Sequence, residues 1–311
     1  MSGACSTVRQ PSAGNPNLPT RRTAPKPRER NRCDYPPVGQ WTVDPLPLVG
    51  GAVALVLYAQ GFQRLRSRGK QHVGWGRAAI YTLGVVVGVL ALVSPIDTIG
   101  EEKLLAVHML QHLLLGDVAP LFIVLGLMGP MSVFLLPADV LRSVGRFRPL
   151  RALISFLLRP WVSFWAWVIA MAAWHIPTAY DAAVRHPAVH VAEHWSFVAT
   201  GLLVWIQILD PSRHRRLSQG MRAVYAGLLL FAGMVLGEVL IAAHPLYAPY
   251  FEVPNRPFGW DAAEDQNRAG VLMMAEQVLT FGMVALLLVW GHVEQVEREH
   301  FSQPQPPTEK T

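Results

Sequence analysis

Two pairs of histidines with the same spacing lie within apolar stretches of the chain. His108 and His112 are four residues apart, and His190 and His194 repeat the spacing with Glu193 beside the second histidine. On an α-helix, residues four apart project from one face, so each pair presents two stacked imidazoles. Two such helices can surround one metal ion or two, and a nearby carboxylate can orient an imidazole through its other nitrogen. The spacing therefore predicts a metal site shared by two helices.

Other side chains suited to the same site fall near the same ends of the predicted helices. Three of them are further candidate metal ligands: His175, Met109 and Met273. The carboxylates that we expect to orient or balance the ligands are Asp97, Asp181, Glu193, Asp265, Glu238 and Glu276. Imidazole suits zinc, copper, iron and nickel, whereas a thioether favours Cu(I), so the methionines favour copper. No predicted membrane span contains a cysteine, which argues against iron–sulfur chemistry.

The composition shows which elements must position these side chains. Of the 311 residues, 51% are hydrophobic and only 15% are charged, whereas a soluble domain carries about 25% charged residues. The charges are clustered between long apolar runs, a pattern typical of a membrane protein. We predict an all-α, polytopic transmembrane helix bundle of about seven spans, at 46–63, 77–94, 104–127, 161–176, 190–209, 222–243 and 269–290.

One stretch after the third predicted span is ambiguous. Leu121 to Leu136 is apolar but is interrupted by Gly129 and Pro130. A proline at this point kinks or ends a helix. The stretch is therefore expected to continue the third span as a kink or as a partly re-entrant segment, and an eighth span is left open.

The charges of the loops predict the orientation. The first, third and fifth loops are rich in arginine and lysine, whereas the second, fourth and sixth hold most of the acids. Basic loops stay in the cytoplasm, so the prediction is N-out and C-in. The candidate ligands then lie near the outer ends of their spans, and the inner halves are expected to be nearly free of polar groups. That distribution argues against a proton or metal transporter, which needs polar residues along its path.

The chain divides into three predicted regions. Residues 1–44 are a basic, proline-rich tail predicted to be disordered, 45–292 form the seven-helix transmembrane domain, and 293–311 are a cytoplasmic tail. The net charge of +6 is explained by the topology signal in the loops, so we expect no nucleic-acid partner.

Five short motifs, in this order, resemble those of one known family. They are Ser94-Pro95-Ile96-Asp97, His108-Met109-Leu110-Gln111-His112, Trp174-His175-Ile176-Pro177 with Tyr180-Asp181, Glu193-His194, and Asp265-Gln266 with Ala269-Gly270 and Leu272-Met273-Met274. They are similar to motifs of the caa3-type CtaG family, which comprises seven-span cytochrome c oxidase assembly factors. The resemblance implies a role in maturing a haem–copper oxidase of the respiratory chain in the bacterial inner membrane, through delivery of copper. Its partners would be oxidase subunits and the lipid bilayer.

The leading hypothesis is a non-enzymatic metallochaperone that binds Cu(I). In it, His108, His112, His190 and His194 hold the ion, and His175 with Met109 or Met273 completes the shell. The alternative is a haem-binding membrane redox enzyme, because paired histidines on neighbouring spans also suit the axial ligation of haem iron.

Overall fold

The computed structural model describes residues 39–67, 74–212 and 216–302 of the chain. These residues form helices joined by turns and by one longer connection at 243–261, and the described part of the chain contains no β-strand. The predicted all-α fold class is confirmed.

Fourteen α-helices follow one another along the described residues. In chain order they are α1 Pro45–Ser67, α2 Trp75–Val93, α3 Pro95–Glu102, α4 Leu105–Leu113, α5 Ala119–Gly126, α6 Met131–Phe134, α7 Ala138–Arg146, α8 Arg148–Leu157, α9 Pro160–Trp174, α10 Pro177–Arg185, α11 Pro187–Leu209, α12 Gln219–Ala242, α13 Ala262–Gln277 and α14 Met283–Ser302. A π-helical turn, Leu114–Val118, joins α4 to α5, and a second, Val278–Gly282, joins α13 to α14.

Six continuous helices among the described residues are long and apolar enough to cross a membrane. A seventh span exists if α8 and α9, which meet at a bend of 75°, are counted as one. This agrees with the prediction of about seven spans, although the last helix is much longer than expected, at Ala262–Arg298 against 269–290. The predicted N-out, C-in orientation stays a prediction.

The ambiguous stretch around Gly129 does not form an eighth span. The third span ends at Gly126, and Gly129 turns the chain with a φ of 76°, a conformation that favours glycine. The following helix, α6, has only four residues. It packs on α1, where a Cβ added at Gly61 would lie 2.6 Å from the Phe134 carbonyl oxygen.

Both predicted tails overlap ordered elements. Residues 39–44 hydrogen-bond to the α2–α3 region, with Gly39 N donating to Thr98 Oγ1 at 3.0 Å and Thr42 N donating to Val93 O at 2.9 Å. At the other end, α14 extends past the predicted boundary at residue 293 to Ser302. The rest of the predicted N-terminal tail, 1–38, and the end of the C-terminal tail, 303–311, lie outside the described residues.

A glycine contact brings the two histidine-bearing helices together. A Cβ added at Gly201 in α11 would lie 1.7 Å from the carbonyl oxygen of Gly116, in the π-helical turn after α4. Only glycine allows the two backbones to approach this closely, as is common between membrane helices. The helix that carries His108 and His112 therefore packs directly on the helix that carries His190 and His194.

The start of α4 is fixed by a distant carboxylate. The helix has no side-chain cap of its own, and its first N–H groups need acceptors. Asp265 in α13 supplies them, accepting hydrogen bonds from Leu105 N at 2.9 Å and Ala106 N at 3.0 Å. Arg256 lies 3.3 Å from the same carboxylate. Asp265 therefore positions the helix that carries His108 and His112 and does not contact the ligands themselves.

Candidate metal centre

The four paired histidines converge in the interior of the bundle. One ring nitrogen from each of His108, His112, His190 and His194 lies within 4.8 Å of the others. The ring centroids are 4.4 Å apart within the first pair and 4.1 Å apart within the second. All four residues are at most 8% exposed. The structure therefore brings the two i, i+4 histidine pairs together on facing helices, as predicted.

A tyrosine fixes the proton position on His108. Its Nδ1 lies 2.9 Å from the Tyr250 hydroxyl. That hydroxyl donates its own proton to Gly100 O at 2.7 Å and accepts a hydrogen bond from Tyr180 at 3.2 Å. The proton between His108 and Tyr250 must therefore sit on Nδ1 of the imidazole, because the tyrosine proton is already used. His108 Nε2 is left as a lone pair directed at the cluster, which is the form that binds a metal.

Burial keeps this tyrosine pair in the phenol form. Tyr180 and Tyr250 are 1% and 3% exposed, and burial raises the pKa of both hydroxyls. Each therefore keeps a proton to donate at neutral pH. Neither tyrosine was identified from the sequence as a supporting residue, because Tyr250 lies 142 residues from His108 and neither belongs to an i, i+4 pattern with a histidine.

Glu101 contacts Nδ1 of His190 in the way that Tyr250 contacts Nδ1 of His108. Its Oε1 lies 2.8 Å from His190 Nδ1, and His190 Nε2 has no hydrogen-bond partner. A carboxylate that accepts from one imidazole nitrogen makes the other a better and better-oriented metal ligand. The sequence analysis missed Glu101 among its carboxylates. The signal available was its position one helical turn after Asp97 on the short helix α3, which places both carboxylates on one face.

Several polar atoms at the cluster have no partner. His112 Nδ1, His190 Nε2, His194 Nε2 and both carboxylate oxygens of Glu193 are buried without a hydrogen bond, and Glu193 Oε1 is 3.8 Å from His112 Nε2. Buried polar groups are normally satisfied, so such a concentration calls for an explanation. A bound cation would explain it, because the imidazole lone pairs and an unpaired carboxylate all favour positive charge.

One pair of nitrogens already lies near the spacing that a shared metal ion requires. His108 Nε2 and His112 Nε2 are 3.0 Å apart. Two imidazole nitrogens bound tetrahedrally at about 2.0–2.1 Å from an ion are about 3.3 Å apart. The two rings therefore need to separate by only a few tenths of an ångström, which small side-chain rotations supply.

The three other predicted ligands lie at different distances from this cluster. His175 is buried and close enough to His108 and His112 for an electrostatic interaction. Its Nδ1 donates to Met171 O at 2.7 Å, and its Nε2 has no partner. Met109 and Met273 instead pack together in an apolar cluster that includes Tyr180 and Tyr250. This apolar cluster borders the histidines through the two tyrosines, since the Tyr180 ring lies 5.3 Å from that of His108 and the Tyr250 hydroxyl 2.9 Å from its Nδ1.

Two of the predicted carboxylates lie close to ligands or to their supporting groups. Glu193 is adjacent to His112, as described above. Asp97 accepts from Gln111 Nε2 at 2.7 Å and faces Glu101, and burial followed by repulsion from Glu101 raises its pKa to about 6. Asp181 pairs with Arg185 at 3.3 Å on the same helix and makes no direct contact with the four rings.

The remaining two predicted carboxylates are not part of this cluster. Glu238 is exposed rather than buried with the histidines. Glu276 belongs to a second polar group farther along the bundle, where Gln277 Nε2 donates to Glu276 Oε2 at 2.8 Å and to Asp117 Oδ2 at 3.1 Å. Asp117 is completely buried five residues beyond His112. The structure therefore adds two buried polar side chains near the middle of their spans, Asp117 and Gln277, that were not among the predicted site residues.

The chain is similar in sequence to a known protein family, and the matched region contains the cluster. The family described as cytochrome c oxidase caa3 assembly factor (Caa3_CtaG) matches residues 56–295, which include the four histidines and Glu101. Uncharacterized proteins of Mycobacterium bovis and Mycobacterium tuberculosis are each 25% identical over 272 residues. The match covers 82% of this chain but 40% of either relative, so the chain spans less than half the length of these relatives. No solved structure matches the chain.

Proposed function

The chain belongs to the cytochrome c oxidase caa3 assembly factor family, and from this premise we propose that it binds copper as Cu(I) and delivers it to an oxidase subunit during assembly. It acts in the bacterial inner membrane as a metallochaperone and catalyses no reaction. The observation that carries the proposal is the four-histidine cluster, in which four buried imidazoles converge and Nε2 of both His190 and His194 has no hydrogen-bond partner.

The ligand set supports Cu(I) over a divalent ion. Each of the four side chains would bind an ion as a neutral imidazole through a nitrogen lone pair, and Glu193 Oε1 lies 3.8 Å from His112 Nε2. A buried ion costs less when its charge is small and a counter-charge is near. Cu(I) carries one positive charge, accepts low coordination numbers and is soft, so it exchanges readily between nitrogen and sulfur ligands. Met109 and Met273, buried in the apolar cluster that contains Tyr180 and Tyr250, would be candidate thioethers for such exchange.

The haem alternative has less support from the geometry. The centroids of the four rings are 4.1–6.4 Å from their neighbours, and Phe197 lies 4.8 Å from His112. A porphyrin would have to separate rings that are now in contact. The visible absorption spectrum of the purified protein distinguishes the two functions, because bound haem gives an intense Soret band and Cu(I) is colourless.

The test is a Cu(I) titration of the purified protein without oxygen, against a chelator of known affinity. The variant replaces His108, His112, His190 and His194 by asparagine, and His292→Asn, in the exposed part of α14, is the matched control. We expect the parent and the control to bind copper stoichiometrically and the fourfold variant to lose the site. Retention of stoichiometric Cu(I) by the fourfold variant would reject the proposed site.

A further inference from the structure

A cavity reaches the histidine cluster from one side. It has a volume of about 480 Å³ and lies between α1, α2, α5 and α11. Its walls are mostly apolar, from residues such as Val89, Ile123 and Trp195. The charged residues that line it, among those described, are all acidic: Asp44, Asp97 and Glu101.

The inner end of the cavity is formed by two of the four histidines. His190 and His194 both line it, each is 8% exposed, and the Nε2 atom of each has no hydrogen-bond partner. His108 and His112 do not line the cavity and are 0% and 3% exposed. An ion that arrives through the cavity therefore meets the α11 pair before the α4 pair.

The three acidic side chains line the same cavity as these histidines. Asp44 lies at the start of α1 and Asp97 at the start of α3. Asp97 is held by the hydrogen bond from Gln111, and Glu101, one helical turn later, contacts His190 at 2.8 Å. Carboxylates in a cleft with apolar walls attract cations strongly, because the low-dielectric walls focus the field.

We propose that this cavity is the route by which a cation reaches the four-histidine site, with Asp97 and Glu101 as its first ligands. The inference rests on the proposed function and assigns a direction of loading to the same site. The ion first replaces water by carboxylate oxygens and then passes to His190 and His194. Glu101 Oε1 already lies 2.8 Å from His190 Nδ1, so the transfer exchanges carboxylate oxygens for the Nε2 atoms of His190 and His194 between neighbouring side chains.

The route can be blocked by a large side chain at residues that line the cavity. Gly50 lines the cavity, and a Cβ at this position would contact nothing within 4 Å, so Gly50→Trp fills the space without a backbone clash. Gly227 in α12 is equally unobstructed but does not line the cavity, so Gly227→Trp is the matched control. Leu46→Trp, at a second lining residue that is 53% exposed, provides an independent block.

The experiment measures how fast Cu(I) leaves its coloured bicinchoninate complex for the purified protein. With the route filled, loading must wait for a local opening, so we expect Gly50→Trp and Leu46→Trp to lower the rate by at least about tenfold. The final stoichiometry and affinity should stay at the parent values, and Gly227→Trp should load at the parent rate. Loading at the parent rate by both blocked variants would overturn the route.

Ionic strength tests the acidic lining separately. Asp97→Asn should slow loading by about three- to tenfold at low salt, and salt should abolish the difference by screening the remaining charge. An equal rate for parent and variant at low salt would contradict the role of Asp97. Failure of the proposed function looks different, because the parent protein itself would then take no Cu(I) from the complex.

Discussion

Glu101 Oε1 and His190 Nδ1 lie 2.8 Å apart, in a contact between the short helix α3 and the start of α11. This contact orients one imidazole of the cluster and leaves its Nε2 free. Tyr250 does the same for His108 with a neutral hydroxyl at 2.9 Å. Each helix of the candidate centre therefore has one imidazole whose proton position is set from outside the pair.

The first prediction concerns Glu101. Replacement by glutamine removes the charge that strengthens His190 as a ligand, and loss of such a supporting group typically costs 10–100-fold in metal affinity, so we expect about that decrease. Competition titration with a Cu(I) chelator measures it. Glu238→Gln, at an exposed glutamate in α12, is the control and should bind like the parent. Unchanged affinity in Glu101→Gln would show that the contact does not support the site.

Tyr250→Phe should lower both metal affinity and stability. The substitution leaves His108 Nδ1, Gly100 O and the Tyr180 hydroxyl without their shared partner. An unsatisfied buried group costs about 1–3 kcal/mol, so thermal unfolding should shift clearly to lower temperature. Tyr247→Phe is the control, because that hydroxyl donates to His175 O and not to the four-histidine cluster. It should destabilise the protein while leaving Cu(I) affinity closer to the parent value than Tyr250→Phe does.

Gly201→Leu should separate the two histidine helices. A Cβ alone would lie 1.7 Å from Gly116 O, so the backbones must move apart, and the four nitrogens lose their common centre. We expect loss of stoichiometric Cu(I) binding together with a lower unfolding temperature. Gly227→Leu, where a side chain meets nothing within 4 Å, should change neither. Full copper binding by Gly201→Leu would mean that the site does not depend on this close approach.

The sequence predicted which histidines come together better than it predicted the groups that contact them. The i, i+4 spacing of His108 with His112 and of His190 with His194 is local information, and the helix period alone places each pair on one face. Glu101, Tyr250 and the cap by Asp265 depend on contacts between distant segments. Spacing does not report such contacts, so Glu101 and Tyr250 were missed and the role of Asp265 was assigned differently.

Two other features show the same limit. Met273 was predicted at the depth of the histidines, but depth along a helix does not fix which neighbour a side chain faces. Met273 belongs to an apolar cluster with Met109, Tyr180 and Tyr250. The break at Gly129 was visible in the sequence. Its outcome, a turn followed by the one-turn helix α6 against Gly61, depends on a contact with α1 that only the fold reveals.

The raised pKa of Asp97 predicts that protein stability and the rate of Cu(I) loading both depend on pH. The pKa of Asp97 in the folded protein is about 6, raised from 3.8 by burial and by repulsion from Glu101 and, less strongly, Asp44. The hydrogen bond from Gln111 and the charge of His190 lower this pKa in part. The folded state therefore holds this proton more tightly than the unfolded state. The resulting stabilisation is complete below pH 3.8 and is lost as the pH rises through 6.

Comparison of the parent with Asp97→Asn tests this sign. The unfolding temperature of the parent, relative to that of the variant, should fall between pH 4 and pH 7. The Cu(I) loading rate of the parent should rise over the range around pH 6, because the ionised carboxylate attracts the cation, and the variant should lack that step. A relative unfolding temperature that rises with pH would contradict the assignment.

X-ray absorption at the copper edge of the Cu(I)-loaded parent protein tests the central claim most directly. We expect a first shell of nitrogen atoms with the multiple-scattering pattern of imidazole, and loss of this pattern when His108, His112, His190 and His194 are replaced together. A first shell dominated by sulfur, or an imidazole pattern that persists in the fourfold variant, would show that copper binds elsewhere in the protein.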